Sequence, residues 1–457
     1  MSLDLLPRAR AAAGRAAVAS ALLREAAASL ALPPIESGEV TAFDGLLLTV
    51  EGLVAGAGVL LEVEADPAPV AAEVIGFRRG SLLAMVLARG AIRPGGRARR
   101  VGRADRVPFG PELLGRVVDA MGQPVDGGRP IRCPAAMPLD GRPLPPLDRG
   151  DVQDAVETGV RAIDALFTLG RGQRIGLIAG TGVGKSTLMR ELVRGTRTDV
   201  TVLALIGERG REISGLVETL GGRAGCHIIA VPADEAAPLR VRGARRALAV
   251  AEGFRASGAH VLLVMDSLTR VAHAQREVGL AAGEPAGPRG YPASALALLP
   301  RLIERAGCDR ASGGAITAVF TVLADGDDIV ADPVVDTARG VLDGHILLSR
   351  ALAARGRLPA IDTTLSVSRT MAACVTPEHL AAAGAFLRDA ALVEANRDLL
   401  AMGAYAPGQD AALDRAMARA DAIERFLTQP PGSPMPFAAS VAQLLETWGE
   451  PARDADR

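Results

Sequence analysis

The chain has 457 residues, 49% of them hydrophobic, and a formal net charge of −1. At about 150 residues per domain this is material for about three domains, and the near-zero charge excludes a global field for nucleic acid or an anionic membrane. Aromatics make up only 3%, which is poor for a protein that stacks on bases, and the four cysteines Cys133, Cys226, Cys308 and Cys374 form no CxxC pair, so reduced cytoplasmic thiols are expected rather than a zinc site or a disulfide framework.

Residues 1–34 alternate Ala and Leu with Arg and predict one or two short helices ending at Pro33-Pro34. A solvated helix and a docking helix are both open readings. Arg15, Arg24 and Glu25 interrupt the apolar stretch, so neither a signal peptide nor a membrane span is expected. Residues 35–105 change character: short apolar runs at 46–50, 59–63 and 82–87 are separated by Gly, Asp and Pro turns, the pattern of a small β-barrel. The arginines at its end, Arg97, Arg99, Arg100, Arg103 and Arg106, read as a solvated linker, because no aromatics are interleaved to favour nucleic acid. Residues 110–150, rich in Pro and Gly, read as a connector.

From about 151 the pattern is α/β. Apolar runs at 175–179, 200–206, 227–231, 261–265, 316–323 and 345–348 alternate with helical stretches. Continuous runs of this length suit parallel strands buried on both faces. After about 371 the chain reads as helical, with helices over 378–400 and 411–428.

Four motifs carry chemistry. The first is Ala-Gly-Thr-Gly-Val-Gly-Lys-Ser-Thr over 179–187, after a strand and before a helix, which is the context of a phosphate-binding loop. Gly180, Gly182 and Gly184 permit backbone angles that aim N–H groups inward, with Thr181, Val183 and Thr187 completing the cradle. The helix N-terminus adds partial positive charge. Lys185 is the loop's ammonium, and Ser186 is placed to hold Mg²⁺. Of the 51 basic residues, 50 are arginine, and Lys185 is the single lysine. An ammonium is a compact point charge, whereas a guanidinium is a wide fork that does not fit a tight ring of N–H groups.

The second motif is Asp266, which ends the run 261–265 and is placed to hold Mg²⁺ through water. The third is Gly207-Glu208-Arg209-Gly210-Arg211-Glu212, with Glu208 at the sheet edge beside the phosphate loop, where hydrolysis needs a group to orient the attacking water. The fourth is Ser366-Val367-Ser368-Arg369, a loop ending in an arginine able to stabilise transition-state charge. Spacing leaves open whether it acts in its own subunit.

These residues, together with Gly115-Arg116-Val117-Val118-Asp119, Gly172-Gln173-Arg174, Asp266-Ser267-Leu268-Thr269-Arg270, Ala274-Gln275-Arg276-Glu277, Arg289-Gly290-Tyr291-Pro292, Asp343-Gly344-His345 and Pro359-Ala360-Ile361-Asp362, resemble the flagellar and type III protein-export ATPases, relatives of the rotary ATP synthase catalytic subunit. The resemblance covers nearly the whole chain. It implies an α/β RecA-like P-loop NTPase core with a parallel sheet over 106–370, preceded by a small β-barrel at 35–105 and followed by a helical C-terminal domain at 371–457. It implies an ATPase using ATP and Mg²⁺, with Glu208 polarising the attacking water, Arg209 and Arg270 near the γ-phosphate, and Arg369 reaching the neighbouring subunit's nucleotide. A homohexamer is implied. So are a regulatory stator protein at the N-terminal helices and export chaperones and substrates at the C-terminal domain. The loop 283–293 resembles one facing the ring centre. The implied location is the cytoplasm, with peripheral association at the membrane export gate, and no nucleic acid is implied.

One departure concerns the base. The family usually has Tyr before Pro-Ala-Ile-Asp, whereas this chain has Leu358. An aliphatic side chain covers a base without stacking on it in the same way, so a weaker base preference is expected, with Tyr405 as a candidate substitute. Two other readings are weaker. A ring ATPase acting on RNA needs stacking aromatics in the barrel, where residues 35–105 hold only Phe43 and Phe77. A non-catalytic ring subunit is disfavoured by Lys185, Glu208 and Arg369 together. The motifs are common to flagellar and injectisome systems, and the flagellar reading is preferred.

Overall fold

A computed structural model describes residues 37–88, 90–103, 105–141, 144–324 and 332–449. The helices expected over 1–34 lie outside these residues. Two compact units result, one holding the described residues 37–84 and 90–102 and the other the rest.

The first unit is a closed six-stranded barrel. Its strands are β1 (Ser37–Phe43), β2 (Leu47–Glu51), β3 (Val59–Val63), β4 (Val70–Arg78), β5 (Ser81–Val86) and β6 (Arg97–Arg103), in the order β1-β2-β5-β4-β3-β6, with β6 closing on β1. Alternate residues such as Val59, Leu61 and Val63 point inward, as the two-residue period of a strand requires. The arginine run expected as a linker is the closing strand. Ala98 is its buried inward residue, while Arg99 reaches Glu62 across the barrel surface. One small apolar residue among arginines is too faint a pattern to read as a strand.

The second unit is built on a ten-stranded sheet. Its principal strands are β7 (Val117–Val118), β8 (Arg174–Ala179), β9 (Val200–Glu208), β10 (Cys226–Pro232), β11 (His260–Asp266), β12 (Ala315–Leu323), β13 (Gly344–Leu348) and β14 (Val367–Ser368). They lie in the order β7-β10-β9-β11-β12-β8-β13-β14. All neighbours run parallel except the β13–β14 pair. Part of the Pro/Gly-rich connector thus becomes a sheet edge at β7, and Ala135–Pro138 pairs with Arg106–Phe109.

Parallel neighbours need crossovers, here supplied by helices. Those that matter below are α1 (Arg161–Leu166), α2 (Lys185–Gly195), α3 (Gly210–Leu220), α4 (Ala237–Ala256) and α5 (Leu268–Ala281). Alternate residues of β9 serve opposite layers. Val202, Ala204 and Ile206 join a core with α4 and α5, whereas Leu203 and Leu205 join a core with α2, α3 and the C-terminal helices. That is why the run is apolar without alternation.

The C-terminal helices are α6 (Pro377–Ala395), α7 (Ala411–Ala418), α8 (Ala420–Leu427) and α9 (Phe437–Trp448). The continuous helix expected over 411–428 breaks at Arg419, where ψ rises to 0°. Phe386 and Trp448 meet with ring centroids 4.6 Å apart, with Phe426 also against Phe386. Truncating Phe386, which is fully buried, to alanine would cost about 3–5 kcal/mol.

Candidate functional site

The turn between β8 and α2 has Gly182 at φ 78° and Gly184 at φ 92°, the left-handed region that L side chains avoid. Gly184 caps α2, which begins at Lys185, so the first-turn N–H groups of an eleven-residue helix face the loop. Val183 is buried and pins the loop to the core through its side chain, leaving its backbone for the cradle.

Lys185 forms an ion pair with Asp266 and lies 3.7 Å from Oε1 of Glu208. The strand register explains the meeting. Asp266 ends β11 opposite Leu205 of β9, and Glu208 ends β9. Both carboxylates therefore emerge at the C-terminal ends of adjacent strands, where open α/β sheets bind ligands. The β9 strand itself is interior to the sheet, so Glu208 is not at a sheet edge in the lateral sense. Two strands, β11 and β12, separate it from β8, and the Lys185 side chain closes that distance.

Thr321 of β12 completes the cluster by donating its hydroxyl to Asp266 Oδ1 at 2.5 Å. Nothing in the sequence distinguished Thr321 from other threonines in buried strands. Glu208 is only 6% exposed, and its Oε1 is buried without a hydrogen-bond partner. Burial and the Asp266 carboxylate push its carboxyl above the ordinary glutamate range, against the opposing pull of Lys185 and Arg270. A buried carboxylate lining a cleft, with an oxygen that makes no hydrogen bond, can take a proton or orient a water.

Gly180, Thr181, Gly182, Ser186, Thr187, Arg209 and Arg270 line the same cleft, together with Arg190 and Arg211, which sequence reading passed over. The stem of Arg270 lies against Gly207, where an added Cβ would come within 2.8 Å of it. Arg209 caps α3, its side chain exposed and 3.9 Å from Glu212. Arg369 is not among the lining residues. It is exposed, its backbone N–H bonds to Asp343, and its guanidinium reaches the carbonyl of Arg339 at 3.5 Å.

A second, largely apolar cleft adjoins the first and shares Gly184 and Thr187 with it. Its lining includes Leu358, Pro359 and Ala360, Val160 and Val183, and Gln429, Pro430 and Pro431 of the C-terminal region. Leu358 is thus on the lining of a cleft beside the phosphate loop. Tyr405 is not: its hydroxyl bonds to Asp414 at 2.8 Å and to the carbonyl of Asp410, and it lines neither cleft. It is held by the start of α7 as a local turn lock.

Residues 159–368 match the ATP synthase alpha/beta family, nucleotide-binding domain, and residues 375–446 match the T3SS EscN ATPase C-terminal domain. The chain is 44% identical over 426 residues to a flagellum-specific ATP synthase of Pseudomonas aeruginosa, covering 92% of this chain and 94% of the relative. It is 46% identical over 410 residues to the flagellum-specific ATP synthase of Salmonella typhimurium (86% and 89% covered). It is also 44% identical over 401 residues to a type 3 secretion system ATPase of Xanthomonas euvesicatoria (86% and 90% covered). Among solved structures, the assembled ATPase EscN of the enteropathogenic E. coli type III secretion system superposes with a TM-score of 0.85 at 36% identity, covering 90% of this chain and all of that one.

Proposed function

This chain belongs to the flagellar and type III secretion ATPase family and is an ATP-hydrolysing enzyme, and on that premise we propose that it energises export of flagellar proteins from a homohexameric ring. The observation that carries the catalytic part is the meeting of Lys185, Glu208 and Asp266 at the mouth of a glycine loop. A non-catalytic phosphate-binding subunit has no need of a buried carboxylate beside its lysine with an oxygen left without a hydrogen bond.

The geometry supports the following roles. The N–H groups of 180–187 and the Lys185 ammonium hold the triphosphate. Glu208 accepts a hydrogen bond from the attacking water and orients it. Arg270, its stem fixed on Gly207, presents charge toward the terminal phosphate, with Arg209 nearer solvent. Ser186 and Asp266 offer oxygen ligands suited to a hard cation. Among the described residues no group of three or more His, Cys, Asp or Glu could hold a metal alone, which fits an ion shared with the substrate's own phosphates. Bound there, Mg²⁺ would neutralise charge on the phosphates.

The base would occupy the apolar cleft at Leu358. The position of Arg369, outside the chain's own cleft, supports its acting on the nucleotide of the next subunit in a ring. The family's assembled EscN relative supports the same arrangement. No helix among the described residues is long and apolar enough to cross a membrane; peripheral contact with the membrane export gate belongs to the same reading. Regulator binding at 1–34, and chaperone and substrate contact at the C-terminal helices, complete the reading. We read the service as flagellar; a type 3 secretion relative is as similar, at 44% identity, as one of the flagellum-specific ones.

The test is phosphate release by the purified chain at rising protein concentration. Specific activity should climb as rings form. A flat, zero response would mean a non-catalytic subunit, and a flat, non-zero one a site complete in the monomer.

A further inference from the structure

Part of the lining of the apolar cleft is a turn, and its position has an identifiable cause. Gln429 sits at its centre. Its backbone N–H donates to the carbonyl of Leu358 at 2.8 Å, joining two stretches of the lining. Its side-chain amide donates to the carbonyls of Gly159 at 2.8 Å and Ser433 at 2.7 Å, and its Oε1 accepts from the backbone N–H of Arg161 at 2.8 Å. Every hydrogen-bonding group of that side chain is occupied in holding the turn.

The Arg161 side chain fixes the other end of the same segment. Its guanidinium donates to the carbonyls of Arg425 (2.8 Å), Phe426 (2.7 Å) and Thr428 (2.6 Å), and to Oε1 of Gln443 on α9 (3.0 Å). The last carbonyls of a helix have no partner within it and carry partial negative charge. Arg161 supplies both donors and charge for α8, and its guanidinium carbon also lies 5.2 Å from the centre of the Phe426 ring. It is 8% exposed and lines neither cleft. Two residues beyond α8 the chain becomes the cleft wall Gln429–Pro431.

We propose that Arg161 is a positioning residue for nucleotide affinity: it locks the end of α8 so that Gln429, Pro430 and Pro431 stand against the base. The base side of the site is then a two-part clamp, half from the ATPase core and half from the C-terminal helices, with Arg161 as its fastening. This rests on the reading of the apolar cleft as the nucleoside end of an ATP site. By linkage, whatever draws α8 away from Arg161 weakens base binding, and nucleotide binding holds α8 in place.

The test compares Arg161→Ala, Arg161→Lys and Gln429→Ala with the wild type, using ATP as substrate and inorganic tripolyphosphate, which has no base, as a competitive inhibitor. The KM for ATP should rise about tenfold in Arg161→Ala, the size expected of losing about 1.4 kcal/mol, with kcat falling far less. The inhibition constant of tripolyphosphate should stay where it is. Arg161→Lys should recover part of the KM, since an ammonium reaches some of the carbonyls. Gln429→Ala keeps the guanidinium cap but frees the turn. It should show the same split, and it decides alone if Arg161→Ala does not fold. An unchanged KM, or ATP and tripolyphosphate weakening together, would overturn the role of Arg161. Absence of ATP turnover in the wild type would count instead against the ATPase reading itself.

Discussion

The two ends of the cleft are built on opposite plans. The phosphate end is charged, lies at the C-terminal ends of neighbouring strands in one sheet, and draws its side chains from the ATPase core alone. The cleft proposed for the base is mostly apolar and drawn from five separated stretches, at 160, 183–191, 348, 358–360 and 429–431, the last in the C-terminal helical region. Rigid strands set the charges to within a hydrogen bond, where small displacements matter most. The base end needs only shape and apolar cover, so it can be made of turns and can share its lining with the C-terminal helical region.

If that contrast holds, changes at the phosphate end should abolish turnover, and changes at the base end should tune affinity. The largest effect is expected of Lys185→Arg, which keeps the charge but not the compact ammonium. Turnover should fall by about 10³ or more, and near-normal hydrolysis would break the steric argument. Next comes Glu208→Gln, which should lose about 10²–10⁴ in kcat while still binding nucleotide, as a filter-binding assay would record.

A smaller effect concerns pH. Burial and Asp266 hold the Glu208 carboxyl above its ordinary value of 4.5, and its ionised form is the one that accepts a proton from water. Activity should therefore fall on acidification at a higher pH than an ordinary glutamate would dictate. An acid limb of kcat/KM at or below about 4.5 would contradict the environment described for Glu208. The smallest effect lies at the base. GTP should be turned over at more than about a hundredth of the ATP rate, a gap of about 2.7 kcal/mol. Leu358→Tyr should widen the preference for ATP by severalfold, about the 0.5–1.5 kcal/mol of an aromatic contact.

The same contrast explains what was legible in the sequence. The phosphate end is written in contiguous runs, 179–187 and 206–212, whose glycines and charges have few other uses. The apolar runs that carry them are continuous because both faces of the sheet are covered, so the strands fall within a residue or two of where periodicity places them. Thr321 escaped notice because a threonine in a buried strand has no signature until its neighbour Asp266 is known. The base end was legible only at Leu358, and only through resemblance. Val160, Gln429, Pro430 and Pro431 are ordinary residues brought together by the packing of α8 on α1. Tyr405 attracted attention for its ring, yet its hydroxyl is committed to Asp414. In the barrel, β6 was hidden because a single alanine carries its inward face.

On the proposed reading, one chain holds only part of a working site, with Arg369 serving its neighbour. Mixing Arg369→Ala chains with Glu208→Gln chains tests it most directly. Each alone should bind ATP and release almost no phosphate. Mixed, they should regain measurable turnover, because some interfaces pair an intact Arg369 with an intact Glu208. No recovery at any mixing ratio, with ring formation verified by sedimentation, would contradict the shared site.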